Sequence, residues 1–127
     1  MIQEARAREL LEEKANEVYA GEMGRRVRES YAKLKIRTAG GSAAVKAGAY
    51  EHAREYWLGR GELLEAKPEQ YLLVMTGSGI KNQNPTVVEL TFQSGMLQVT
   101  AWAKEGLIPQ KSAAKAVADC LEALQQK

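Results

Sequence analysis

The sequence predicts an α+β domain, and three observations carry that expectation. A run from Val87 to Trp102 reads as a β-hairpin with a two-residue turn, an apolar-striped helix follows it, and another striped helix opens the chain. With Ser94-Gly95 as the turn, Gln93 falls opposite Met96, Phe92 opposite Leu97, Leu90 opposite Val99 and Val88 opposite Ala101. The last three pairs are apolar. The other face carries Glu89 opposite Thr100, Thr91 opposite Gln98 and Val87 opposite Trp102, a mostly polar set that suits solvent or a partner. A slip of one residue would mix the two faces, so the pattern specifies its own register.

At the amino terminus Ile2, Ala7, Leu10, Leu11, Ala15 and Val18 recur at helical spacing with Glu and Arg opposite, which predicts an amphipathic helix. Gly21 and Gly24 interrupt the pattern, and Met23, Val27, Tyr31 and Leu34 resume it, so a second helix or a bent continuation runs to about Lys33. Lys33 to Thr38 alternates as a short strand would, or else ends that helix. Ala39-Gly40-Gly41 reads as the clearest break in the chain. Ser42 is a good N-cap for a helix whose Val45, Ala49, Ala53 and Trp57 share one face until Gly59 or Gly61 ends it. Gly48 weakens that helix by roughly 1 kcal/mol relative to Ala.

Glu62 to Ala66 and Tyr71 to Thr76 flank Lys67-Pro68-Glu69-Gln70, where Pro68 suits the second position of a turn, and together they predict a first hairpin. Gly77 to Pro85 reads as a polar loop. Ala114, Val117, Leu121 and Leu124 make the stripe of a last helix running from near Pro109 to Gln125, the natural cover for the apolar sheet face. The expected architecture is therefore a single domain over residues 1–127 in two layers: amino-terminal helices, an antiparallel sheet of about four strands with its hairpin at 87–102, and a carboxy-terminal helix packed on the sheet.

The 45% hydrophobic and 27% charged content of the 127 residues lies in the ordinary globular range. The longest apolar run, Tyr71 to Met75, is far too short to span a bilayer, and the chain opens with charged helix rather than an apolar signal core. A cytoplasmic protein without a membrane partner is expected. Cys120 is the sole cysteine, which excludes an internal disulfide and any multi-cysteine zinc site and suits a small buried hydrophobe on the last helix. No cofactor or metal is expected. The net charge of +2 hides a gradient, because residues 21–60 carry nine basic and four acidic groups while the flanking segments are slightly acidic.

Four features could carry chemistry or recognition. His52, the only histidine, shares a helical stretch with Glu51, Glu55 and Tyr56, from which a general base could be built; solvated ion pairs at helical spacing are the plainer reading. Arg25, Arg26, Arg28, Lys33, Lys35 and Arg37 form the densest basic stretch. It lies close to the expected helix start at Gly40-Gly41-Ser42, an arrangement that suits a nucleic-acid backbone or another polyanion. Gly77-Ser78-Gly79-Ile80-Lys81 faintly resembles a phosphate loop but lacks its Gly-Lys-Ser/Thr ending. Trp102 with Val87 on the outer hairpin face must be covered, either by the chain's own helices or by another molecule. The sequence-level expectation is a non-enzymatic protein-interaction module that forms a homodimer, with polyanion binding through residues 25–37 as the alternative and a His52 enzyme as a further one.

Overall fold

The central hairpin forms in the expected register. Ser94 and Gly95 both adopt positive φ, at 52° and 76°, the backbone of a type I′ turn, and the pairs run without a slip from Gln93–Met96 to Thr86–Ala103. The computed structural model describes residues 2–18, 21, 24–76, 85–105 and 111–125, with the backbone alone for Val18, Val27 and Glu105. The expected loop at 77–84, the Gly77 to Lys81 segment and Pro109 lie outside the described residues.

In chain order the elements are α1 (Glu4–Val18), α2 (Arg25–Ala32), β1 (Lys35–Ala44), α3 (Ala49–Leu58), β2 (Gly61–Lys67), β3 (Tyr71–Thr76), β4 (Thr86–Gln93), β5 (Met96–Glu105) and α4 (Ser112–Leu124). The five strands make one antiparallel sheet in the order β1-β5-β4-β3-β2. From β1 the chain crosses the sheet through α3 to the far edge and returns as a meander, so that β5 arrives beside β1. The first hairpin, β2–β3, turns as Pro68 suggests: the Gln70 N–H donates to the Lys67 carbonyl at 3.0 Å, and Glu69 takes a φ of 65°. Those are the features of a type II turn.

The α+β class, the amino-terminal helices and the carboxy-terminal helix on the sheet are all present. The layer count and strand count differ in detail. α3 and α4 cover one face, where Tyr50, Ala53, Trp57, Val117, Cys120 and Leu124 pack on Leu72, Val74, Val88, Leu90, Val99 and Ala101. α1 and α2 cover the other, where Ala7, Leu10, Leu11, Ala15 and Tyr31 pack on Leu73, Met75, Val87 and Trp102. Helices on both faces make three layers. The hairpin's second face, mostly polar by inspection, is thus half interior: its apolar positions draw α1 onto the sheet.

The extra strand is β1. Ala39-Gly40-Gly41 does not break the chain, and Ser42 caps no helix; all four lie in the middle of a ten-residue strand paired in step with β5 from Lys35–Glu105 to Ala44–Met96. The reason is tertiary. A Cβ on Gly41 would lie 2.7 Å from Leu121 Cδ1 and 3.3 Å from Val117 Cγ1, so the glycine lets α4 settle directly on the strand. The helix expected from Ser42 begins only at Ala49, after Gly48, and it buries Ala53 and Trp57 as their spacing implies. On α4 the buried stripe is Ala113, Val117, Cys120 and Leu124, rotated from the expected one, which leaves Ala114 exposed and Leu121 half-buried.

Two charges lie inside the α1-covered layer. Lys104 is 1% exposed; its Nζ donates to Glu12 Oε1 of α1 at 2.7 Å and to the carbonyls of Tyr31 and Ala32 at 3.4 and 3.3 Å. Glu89, equally buried, accepts at Oε2 from the Tyr71 hydroxyl at 2.7 Å and from the Ile2 N–H at 2.8 Å. Burial, together with the hydrogen bond to Glu89 and its charge, pushes the Tyr71 hydroxyl well above the usual phenol range. These contacts tie α1, α2 and the start of the chain to the sheet at defined points. Glu12→Ala leaves the Lys104 ammonium buried with carbonyls but without its carboxylate, and is expected to lower unfolding free energy by about 2 kcal/mol in urea titration. Adding Lys104→Met should recover most of the loss; a double variant no better than Glu12→Ala would show that the pair is not what holds α1 down.

Candidate functional site

The structure leaves the catalytic candidates in the open on one helix. Glu51, His52 and Glu55 are all exposed on α3, and no hydrogen bond or ion pair joins them. His52 borders an open depression of about 410 Å³ between the start of α3 and the end of α4, whose lining includes neither glutamate. Among the described residues no three His, Cys, Asp or Glu side chains gather in a way that could hold a metal ion.

The six basic residues are divided by the sheet. Arg25, Arg26 and Arg28 belong to α2, with Arg25 paired to Glu29 at 3.1 Å and Arg28 donating to the Gly21 carbonyl at 2.9 Å. Lys33 follows that helix. On β1, Ile36 packs into the α1-covered layer, so strand alternation turns Lys35 and Arg37 toward the opposite face. The stretch therefore does not converge on one patch, and the helix start imagined at Gly40-Gly41-Ser42 is strand.

Trp102 and Val87 are also not surface. They are 5% and 0% exposed, enclosed by α1 and the strands beneath it. The chain covers them itself, which withdraws them as a contact face for another molecule.

Cys120 lies fully buried on α4 against the sheet-facing layer. Burial pushes its thiol up to about 12, with the neighbouring Trp57 acting in the opposite direction. A thiol held neutral and enclosed is inert. Native protein should resist Ellman's reagent at neutral pH and react promptly once unfolded in guanidinium; fast stoichiometric labelling of the native chain would contradict the burial. Linkage adds a sign. The unfolded thiol ionises near 9 and the folded one near 12. The folded state therefore holds the extra proton between those values, and this group's contribution to stability is lost as pH rises through that window.

What remains distinctive is the edge formed by β1. β1 pairs with β5 alone, and among the described residues no other backbone hydrogen bond reaches its outer side. From Thr38 to Ala44 it carries only Thr, Ala, Gly and Ser, with neither charge nor proline, and its register contains no bulge. The opposite edge differs in length, register and charge: β2 is seven residues long, shifts register between Leu63 and Glu65, and bears Glu62, Glu65 and Lys67. Bulges and charges are what protect an edge strand from pairing with another chain, and β2 has both. β1 has charges only at Lys35 and Arg37, near its start. Nothing in local sequence marks this edge, because the two glycines read as a break until the helix above them is seen. Fold and edge together define a three-layer α+β domain with one guarded and one open sheet edge. Comparison of the chain with models of protein families, with curated proteins and with solved structures finds no match.

Proposed function

We propose that this chain is a small, non-enzymatic protein-interaction module of the cytoplasm that forms a homodimer by pairing β1 with β1 of a second copy. The observation that carries the reading is the open, uncharged, unbulged edge from Thr38 to Ala44. Antiparallel pairing about a two-fold axis at Gly41 sets Thr38 opposite Ala44 and Gly40 opposite Ser42, small side chains throughout, and joins two five-stranded sheets into one. His52, exposed with Glu51 and Glu55 on α3 beside an open depression, fits a non-enzymatic role. A lone buried thiol is at home in a reducing compartment. No helix among the described residues is long and apolar enough to cross a membrane.

The test is the double variant Thr38→Lys/Ala44→Lys. Both positions are exposed, and in the paired edge each new lysine faces another across the junction. Native mass spectrometry of the unaltered chain should give a dimer, and the variant a monomer with an unchanged circular dichroism spectrum. A monomeric unaltered chain at every concentration, or a variant that stays dimeric, overturns the reading. A monomer retained on heparin would instead bring forward the basic residues 25–37 and a polyanion.

A further inference from the structure

We infer that the depression beside the start of α1 binds a primary alkylammonium group, seated on the Tyr71 hydroxyl and drawn there by Glu65 and Glu89. The site is separate from the β1 edge and does not rest on the edge-pairing reading. What carries it is a buried carboxylate with no cation. Glu89 is 1% exposed, accepts at Oε2 only from neutral donors, the Tyr71 hydroxyl and the Ile2 N–H, and has no partner at Oε1 among the described residues. No ion pair among the described residues reaches it. Lys104, the other buried charge on this face, lies four residues along β5 from Thr100, the residue opposite Glu89. That sets it about 13 Å away, where Glu12 engages it. A charge taken out of water ordinarily meets an opposite one, and the described residues supply none to Glu89.

Both donors to Glu89 open onto the same space. Ile2 and Tyr71 line a depression of about 560 Å³ together with Glu65, Lys67, Thr91 and Phe92, a volume that suits a small ligand. The register explains the grouping. Glu65 lies opposite Leu73, and Leu73 opposite Glu89; one pair further along, Lys67 lies opposite Tyr71, and Tyr71 opposite Thr91. Residues directly opposite share a face, so two carboxylates flank Leu73 in one row while Tyr71 and Thr91 stand side by side in the next. Leu73 is covered by α1, and the depression opens over the second row, where Tyr71 and Thr91 are half-buried.

The chemistry of the lining selects the ligand. Burial first, then the hydrogen bond and charge of Glu89 and the charge of Glu65, hold the Tyr71 hydroxyl well above the usual phenol range. It stays neutral, its proton given to Glu89 and its oxygen left to accept. Thr91 offers a second hydroxyl oxygen beside it. An ammonium with three N–H donors suits these acceptors, and its charge answers the two glutamates. Lys67 is the one cation in the lining and pairs with neither glutamate, so the negative charge prevails. Ile2 and Phe92 supply apolar wall for the attached methylenes.

NMR titration of isotope-labelled protein with n-butylammonium chloride at fixed ionic strength tests the site. The amide signals of Tyr71, Thr91 and Gln93 should shift saturably, and sodium butyrate should leave them in place. Glu65→Gln should weaken binding about three-fold and Lys67→Gln tighten it about three-fold; both positions are exposed, so the fold is retained. Glu89→Gln, which keeps the shape and removes the charge, should weaken binding about ten-fold or more. Because Glu89 also ties down the start of α1, the two exposed variants decide the matter if that one unfolds. Nα-acetyl-lysine amide binding more tightly than butylammonium assigns the group to a protein's lysine, and weaker binding assigns it to a free amine. The inference is overturned by the absence of a saturable shift, by butyrate binding as well as butylammonium, by exposed variants that leave the affinity unchanged, or by a folded Glu89→Gln that binds as before. Performed on Thr38→Lys/Ala44→Lys, the same titration reads the site whether or not the edge pairs.

Discussion

Strands β3, β4 and β5 carry large apolar side chains on both faces, along the length of one and at Leu73, Met75, Val87 and Trp102 on the other, and that double demand for cover organises the molecule. Val88, Leu90, Val99 and Ala101 need a lid on one face; Leu73, Met75, Val87 and Trp102 need one on the other. Burying each large side chain contributes roughly 1.5–3 kcal/mol, so neither face can be left wet in a domain of this size. The chain meets the demand by spending its helices evenly, α1 and α2 on one side and α3 and α4 on the other. With both central faces closed, the parts of the sheet still able to pair with another chain are its edges.

The α1-covered layer is the less oily of the two. A lysine and a glutamate lie within it, each met by partners from distant parts of the chain: Glu12 and two carbonyls for Lys104, Tyr71 and the Ile2 N–H for Glu89. Such groups add little net stability compared with well-packed apolar residues, but they penalise misplacement, since a slipped helix strands a buried charge. Glu89 Oε1 lacks a hydrogen-bond partner among the described residues. The pairing thus fixes where α1 sits more than how tightly.

Much of this was legible in the chain, and the rest was hidden for physical reasons. The Val87 to Trp102 hairpin could be read pair by pair because alternation and a Ser-Gly turn are local signals that agree. The first helix was read for the same reason: Ala7, Leu10, Leu11 and Ala15 mark its face. Ala39-Gly40-Gly41 misled, since a glycine that lets a helix approach and a glycine that turns the chain look alike in sequence. Trp102 misled in a different way. It was recognised as needing cover, but a stripe on α1 does not say which face of which sheet it will take. Lys104 offered one overlooked clue, two residues beyond Trp102 and so on the same face, with a run of acidic residues on α1 able to meet it. The open edge could be recognised only after the strand order was known, because an edge is a property of topology and not of any residue.

Amide hydrogen exchange along β1, followed residue by residue as protein concentration is raised, tests the edge most directly. In an edge strand alternate amides point to the neighbouring strand and to solvent. If a second copy binds there, the inward amides are protected by β5 at all concentrations, and the outward ones between Thr38 and Ala44 become protected as the dimer fills. Outward amides that exchange freely at every concentration, beside protected inward ones, would contradict the pairing while leaving the fold intact.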